Sequence, residues 1–160
     1  MDWEALTAYG VPVILIGGLF AIGYTRDKRT HAALRAFAKK HGLKFTEAKV
    51  TAGVLPRGEG KLDGKELYAG YVWIDGFVEG IGPKTDGRSL AVVAMTVGST
   101  AGINRDAPVV REFLQTNGSL SDSAITYAFP KRHFKAISGK ELDAALALVR
   151  RVAAAGRRST

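Results

Sequence analysis

Residues 61–74 read KLDGKELYAGYVWI, and this stretch decides the fold of most of the chain. Its Asp-Gly pair at 63–64 tolerates the two positive φ angles that a type I′ hairpin turn requires. After the turn, apolar side chains fall on both faces of an alternating segment, which is typical of a strand with neighbours on both sides. The sequence therefore predicts a strand at 65–74 in the middle of an antiparallel sheet.

Two more Asp-Gly pairs, at 75–76 and 86–87, continue the same pattern at intervals of about 12 residues. Turns at this spacing between segments of strand composition predict a β-meander. Shorter strands are predicted at 43–50 and 123–129, which gives an antiparallel sheet of about five strands. The strands of the meander are expected at 57–62, 65–74, 77–83 and 88–97.

Three segments have helical periodicity. In 27–41 apolar residues recur at i, i+3 and i+4 from Leu34, with His41 at i+7, and Gly42 is a natural stop. A short helix at 108–114 begins with Pro108, behind Asp106 as its cap. A longer helix follows Ser138, which forms a capping box with Glu141. The predicted fold class is α+β, with two or three helices packed against one face of the sheet.

The N-terminal segment 5–25, ALTAYGVPVILIGGLFAIGYT, is 21 residues without a charge. As an α-helix it is about 31 Å long, close to the thickness of the hydrocarbon core of a bilayer. Its nine strongly apolar residues contribute roughly −3 to −5 kcal/mol to insertion. The sequence thus predicts a transmembrane helix. Two alternatives are a cleaved signal peptide, which lacks the usual positive n-region here, and a buried helix, which normally has a polar face.

The charges that flank this segment predict its orientation. No Lys or Arg precedes it, whereas six follow within residues 26–43, and basic flanks remain in the cytoplasm. We expect the N-terminus outside the cell inner membrane and the following domain in the cytoplasm. The chain then divides into an anchor at 1–25, a basic juxtamembrane helix at 26–43 and a cytoplasmic α+β domain at 44–160.

The net charge of +8 is concentrated in two segments, with +5 in residues 26–43 and +6 in residues 131–160. Anionic lipid and nucleic acid both suit such segments. The predicted anchor favours the anionic inner leaflet, while nucleic acid is unlikely because no recognition motif accompanies the charge. A solvated flank with no partner is the plainer alternative. The residues predicted to contact the membrane surface are Arg26, Lys28, Arg29, Arg35, Lys39, Lys131, Arg132, Lys135, Arg150 and Arg151.

No cofactor, metal ligand or catalytic residue is assigned. Without cysteine there is no thiolate chemistry. The glycine-rich stretch near residue 53 has Glu59 where a phosphate-binding loop needs lysine, and the three histidines share no face or spacing suited to a metal. We therefore predict a single-pass, non-enzymatic interaction or scaffold module that docks an unknown protein partner or the anionic leaflet. A homodimer through Gly17 and Ala21 is a further possibility. The alternatives are a small membrane-tethered enzyme and a membrane-tethered nucleic-acid-binding protein.

Overall fold

The computed structural model describes residues 21, 24–49, 54–73, 89–130 and 135–155. Within these residues the chain alternates between short strands and three helices, as expected of the α+β class. The first helix, α1, is described at 24–40. The remaining elements are β1 Lys44–Thr46, β2 Arg57–Leu62, β3 Lys65–Trp73, β4 Ser89–Thr96, α2 Pro108–Gln115, β5 Gly118–Leu120, β6 Ala124–Ala128 and α3 Gly139–Ala155.

The strands form one six-stranded antiparallel sheet in the order β1-β2-β3-β4-β6-β5. The predicted central position of β3 is confirmed, because β2 and β4 pair with its two sides. Its turn to β2 is also as predicted. Asp63 has φ 53° and Gly64 has φ 76°, the pair of positive values that the Asp-Gly sequence indicated.

The prediction of a meander that passes through residues 77–83 is wrong in one respect. A strand there would separate β3 from β4, yet the two strands pair directly, from Leu67 opposite Met95 to Trp73 opposite Ser89. The chain therefore links two neighbouring strands through residues 74–88, which lie outside the described residues together with two of the Asp-Gly pairs. β5 was missed because Gly118 was interpreted only as a helix stop.

All three helices contribute to one hydrophobic core on a single face of the sheet. Helix α1 presents Leu34, Phe37 and Ala38 to it, as the periodicity predicted. Helix α2 adds Val110 and Phe113. The strands and α3 complete the core with Leu67, Ala69, Val93, Met95, Ile125, Leu142, Leu146, Val149 and Val152.

Glycines in β2 allow α1 to approach the sheet closely. A Cβ atom on Gly58 would lie 2.9 Å from the Cβ of Ala38, and one on Gly60 would lie 3.0 Å from Leu43 Cδ2. Real Cβ atoms rarely approach so closely, so a side chain at position 58 would push α1 away, and one at position 60 would displace Leu43 in the segment that follows α1. The end of α1 therefore packs directly on the backbone of β2 at Gly58.

The helix ends agree with the sequence in two cases and differ in one. Gly42, at φ 66°, follows α1 as the predicted stop, and Glu141 accepts the Ser138 backbone N–H at 2.9 Å in the predicted capping box. The predicted Asp106 cap of α2 is wrong. Ala107 is the N-cap, at ψ 134°, without a side-chain hydrogen bond. Pro108 forces the residue before it into an extended conformation, so the helix cannot begin earlier.

No helix among the described residues combines the length and the apolarity needed to cross a bilayer. The predicted span at 5–25 lies almost wholly outside those residues, since only positions 21, 24 and 25 are described, all three in helical conformation.

Candidate membrane-facing surface

The domain has two ends, which we name the near end, where the described part of α1 begins, and the far end, where the β2–β3 turn lies. At the near end the ring of His31 on α1 lies 6.2 Å from the ring of Tyr71 on β3. At the far end Arg150 on α3 pairs with Asp63 in the turn. Lys65 and Tyr71 are six positions apart on β3, which is about 20 Å at strand geometry. A charge at one end therefore has little influence on the other.

A buried threonine fixes the start of α1 to the rest of the near end. Thr30 is only 2% exposed, and its hydroxyl donates to the Arg26 carbonyl at 3.1 Å and accepts the Ile137 N–H at 3.2 Å. Burial raises the pKa of the neighbouring Tyr71 phenol above its ordinary value, while Thr30 opposes that shift. The first turns of α1 are thus held by β3 and by the segment before α3.

The outward side of α1 is basic and begins with an aromatic residue. Tyr24 is 70% exposed, one of the largest exposures of an apolar side chain among the described residues. Lys28, Arg35 and Lys39 follow it at intervals of four, seven and four residues and are all exposed. At about 100° per residue, these positions fall along one side of the helix. Arg29 is also exposed and points to the adjoining side.

Several of the predicted contact residues are neutralised by carboxylates of the domain. Arg26 pairs with Asp27 at 2.7 Å. Arg35 pairs with Glu47 and lies 5.7 Å from the centre of the Phe45 ring. At the far end Arg150 pairs with Asp63, and Lys135 at the near end has its Nζ 3.9 Å from a Glu141 oxygen. These four side chains therefore offer less net positive charge than the sequence count implies.

Four predicted contact residues form no ion pair within the described part of the chain: Lys28, Arg29, Lys39 and Arg151. All four are exposed. Lys28 and Arg29 lie in the first turns of α1, at the near end. Lys39 lies near the other end of α1, and Arg151 is next to Arg150 at the far end. The structure thus does not bring the predicted basic residues together on one surface.

The remaining predicted positions fall outside the described residues. Lys131 and Arg132 belong to 131–134, between the described residues Pro130 and Lys135. Of the predicted helix–helix pair, Gly17 is not described and Ala21 is exposed in helical conformation. The homodimer therefore stays a prediction.

One charged cluster was not foreseen. Lys40 Nζ lies 2.7 Å from Asp143 Oδ2, and His41 Nε2 lies 3.1 Å from Asp143 Oδ1, which joins the end of α1 to α3. Both hydrogen bonds lower the pKa of the Asp143 carboxyl, and the bond from Lys40 has the larger effect. The partners are more than 100 residues apart, so no local pattern in the sequence indicates the contact.

A small cavity of about 140 Å³ lies at the far end, between the loop after β4 and the end of α3. Ser99 and Lys65 are among its lining residues, and Ser99 Oγ accepts the Ala101 N–H at 3.1 Å. The described residues contain no group of three or more histidine, cysteine or carboxylate side chains placed to hold a metal ion. Neither feature identifies a substrate or a reaction.

Comparison with protein-family models, with curated proteins and with solved structures finds no match for this chain.

Proposed function

We propose that the chain is a single-pass membrane protein whose α+β domain is a non-enzymatic interaction module on the anionic inner face of the cell membrane. In this proposal residues 5–25 cross the bilayer, the N-terminus is outside and the domain is cytoplasmic. The supporting observation is that α1 is helical from the last residues of the predicted span and is packed firmly into the domain core.

The exposures along α1 support this division. Tyr24 is 70% exposed, whereas Thr30 is 2% exposed and Leu34 is 1% exposed. The described part of α1 therefore changes from exposed at Tyr24 to buried at Thr30 within about two turns, or roughly 9 Å. An exposed tyrosine before Arg26, Lys28 and Arg29 is the arrangement expected where a helix leaves the headgroup region.

The packing of α1 also makes the link between the anchor and the domain stiff. Gly58 lets Ala38 of α1 pack closely on β2, Thr30 holds the first described turns of α1, and Asp143 joins its last turn to α3. Because these contacts lie along the whole helix, the anchor would hold the domain with its near end towards the bilayer. A scaffold needs such a fixed orientation if it is to present the same surface to a partner each time.

The span is tested by substitution at its centre. Ile16→Asp adds about 2.5–3.5 kcal/mol to the cost of insertion, which offsets most of the favourable roughly −3 to −5 kcal/mol. We expect the wild-type chain to resist extraction of cell membranes at high pH and the Ile16→Asp variant to be released. Ile16→Leu is the matched control and should stay with the membrane. Retention of Ile16→Asp to the wild-type extent would overturn the proposal.

A further inference from the structure

We propose that Lys28 and Arg29 are the residues that bind anionic lipid headgroups, and that the other described basic residues of the predicted contact set do not take part. This inference rests on the proposed function, because it takes the bilayer surface to lie at the end of residues 5–25. The composition of the sequence does not distinguish among these basic residues, whereas the inference assigns lipid binding to two of them and excludes the others.

The basic residues differ, first, in whether each side chain already pairs with a carboxylate. A basic side chain that already pairs with a carboxylate gains less from an anionic surface, since the carboxylate is repelled by the same surface. Arg26, Arg35 and Arg150 are paired in this way, and Lys135 is close to Glu141. Within the described part of the chain, Lys28, Arg29, Lys39 and Arg151 remain without such a carboxylate.

The second step is distance along the helix. At about 1.5 Å per residue, Lys28 and Arg29 lie roughly 5–6 Å beyond residue 25, and Lys39 lies roughly 21 Å beyond it. Arg151 is farther still, at the opposite end of β3 from the start of α1. The Debye length at physiological salt is about 8 Å, so only the first pair lies within the field of the headgroups.

Lys39 distinguishes between two orientations of α1 relative to the bilayer. Lys28 and Lys39 are eleven residues apart, so at about 100° per residue they project from nearly the same side of α1. If α1 lay flat on the bilayer, both would contact lipid. If α1 stands away from the bilayer as a stalk, only Lys28 does. The helical conformation at positions 21, 24 and 25 favours the stalk, because α1 then continues the proposed span and leaves the bilayer along its own axis.

The test compares two double variants of the full chain in phosphatidylcholine nanodiscs that contain increasing phosphatidylserine. Lys28→Gln with Arg29→Gln removes the proposed pair, and Lys39→Gln with Arg151→Gln removes the same residue types and the same charge elsewhere. Because the chain has no cysteine, Ala32→Cys provides a single exposed site for a donor fluorophore. Energy transfer to headgroup-labelled phosphatidylserine, with labelled phosphatidylcholine as reference, measures lipid association next to α1.

We expect the near-end double variant to lose about 30-fold in the association constant for phosphatidylserine, which is about fivefold for each basic residue near the surface. The other double variant should stay within about twofold of the parent. Equal losses in both variants, a loss only in the second, or no preference for phosphatidylserine in the parent would each overturn the inference. A parent chain that does not enter nanodiscs would instead overturn the proposed span, and a failure of the inference alone leaves the span intact.

Discussion

At the scale of single residues, Gly58 shows how a position without a side chain determines an interface. Its hypothetical Cβ atom and the Cβ of Ala38 would be 2.9 Å apart, and neither a methyl group nor a helix backbone can yield cheaply. The sequence alone does not indicate this role, because the pattern at 57–62 predicts a strand but not which element packs on it. The need for glycine comes from the approach of α1, which only the tertiary structure shows.

Gly58→Ala should therefore destabilise the domain by about 1–3 kcal/mol through overpacking. The matched control is Gly98→Ala, since a Cβ there meets nothing within 4 Å. It should be neutral or slightly stabilising, because alanine restricts the unfolded chain. Urea unfolding of the full chain in detergent micelles, followed by circular dichroism, measures both. Equal stability of the two variants would show that α1 does not pack against β2 as described.

Asp143 gives the domain a contribution to stability that depends on pH. Its pKa is lowered in the folded state, so the contact stabilises the fold above the ordinary aspartate pKa and is lost as pH falls below about 4. The side chain is 37% exposed, which limits the contribution to about 1 kcal/mol or less.

Asp143→Asn should accordingly lower the free energy of unfolding at pH 7 by up to about 1 kcal/mol, and the difference from wild type should shrink between pH 4 and pH 2. Urea unfolding over this pH range measures the difference. Asp122→Asn is the control, because Asp122 is exposed and its side chain forms no ion pair within the described residues. A difference that grew as the pH fell would contradict the assigned contact.

At the scale of elements, α1 is joined to the segment before α3 through Thr30. Its hydroxyl is the acceptor for the Ile137 N–H. Thr30→Val keeps the shape but leaves that N–H without its acceptor, at a cost of about 1–3 kcal/mol. We expect a matching loss of stability and faster hydrogen exchange at the Ile137 amide. Thr30→Ser keeps the hydroxyl and should preserve the protection of that amide, although a methyl group is lost. Equal exchange in the two variants would contradict the assignment.

The elements that the sequence predicted well are those defined by local chemistry. The Asp63–Gly64 turn, the bounds of β2 and β3 and the capping box at Ser138 all depend on residues within a few positions of one another. Prediction failed where the cause was not local. β5 has three residues and forms by pairing with the edge of β6. The predicted order of strands failed because β3 and β4 pair directly, so no strand lies between them.

At the scale of the whole molecule, the candidate membrane surface also depends on contacts between residues that are distant in the sequence. The sequence shows which segments are basic, but not that Asp63 and Glu47 neutralise Arg150 and Arg35. Nor does it show that the second basic segment extends from the near end, at Lys135, to the far end, at Arg150, because that follows from the course of α3 across the sheet. The proposed orientation of the domain relative to the bilayer therefore depends on the fold, while the anchor itself is a prediction from residues 5–25.

The most direct test of the membrane-anchored topology uses the absence of cysteine. Asp2→Cys and Gln115→Cys each add one thiol, the first before the predicted span and the second at an exposed position of α2. In spheroplasts of a bacterial host, a membrane-impermeant maleimide should label Asp2→Cys at once and Gln115→Cys only after lysis. Labelling of Gln115→Cys in intact spheroplasts, or labelling of both only after lysis, would contradict an anchor with the N-terminus outside and the domain in the cytoplasm.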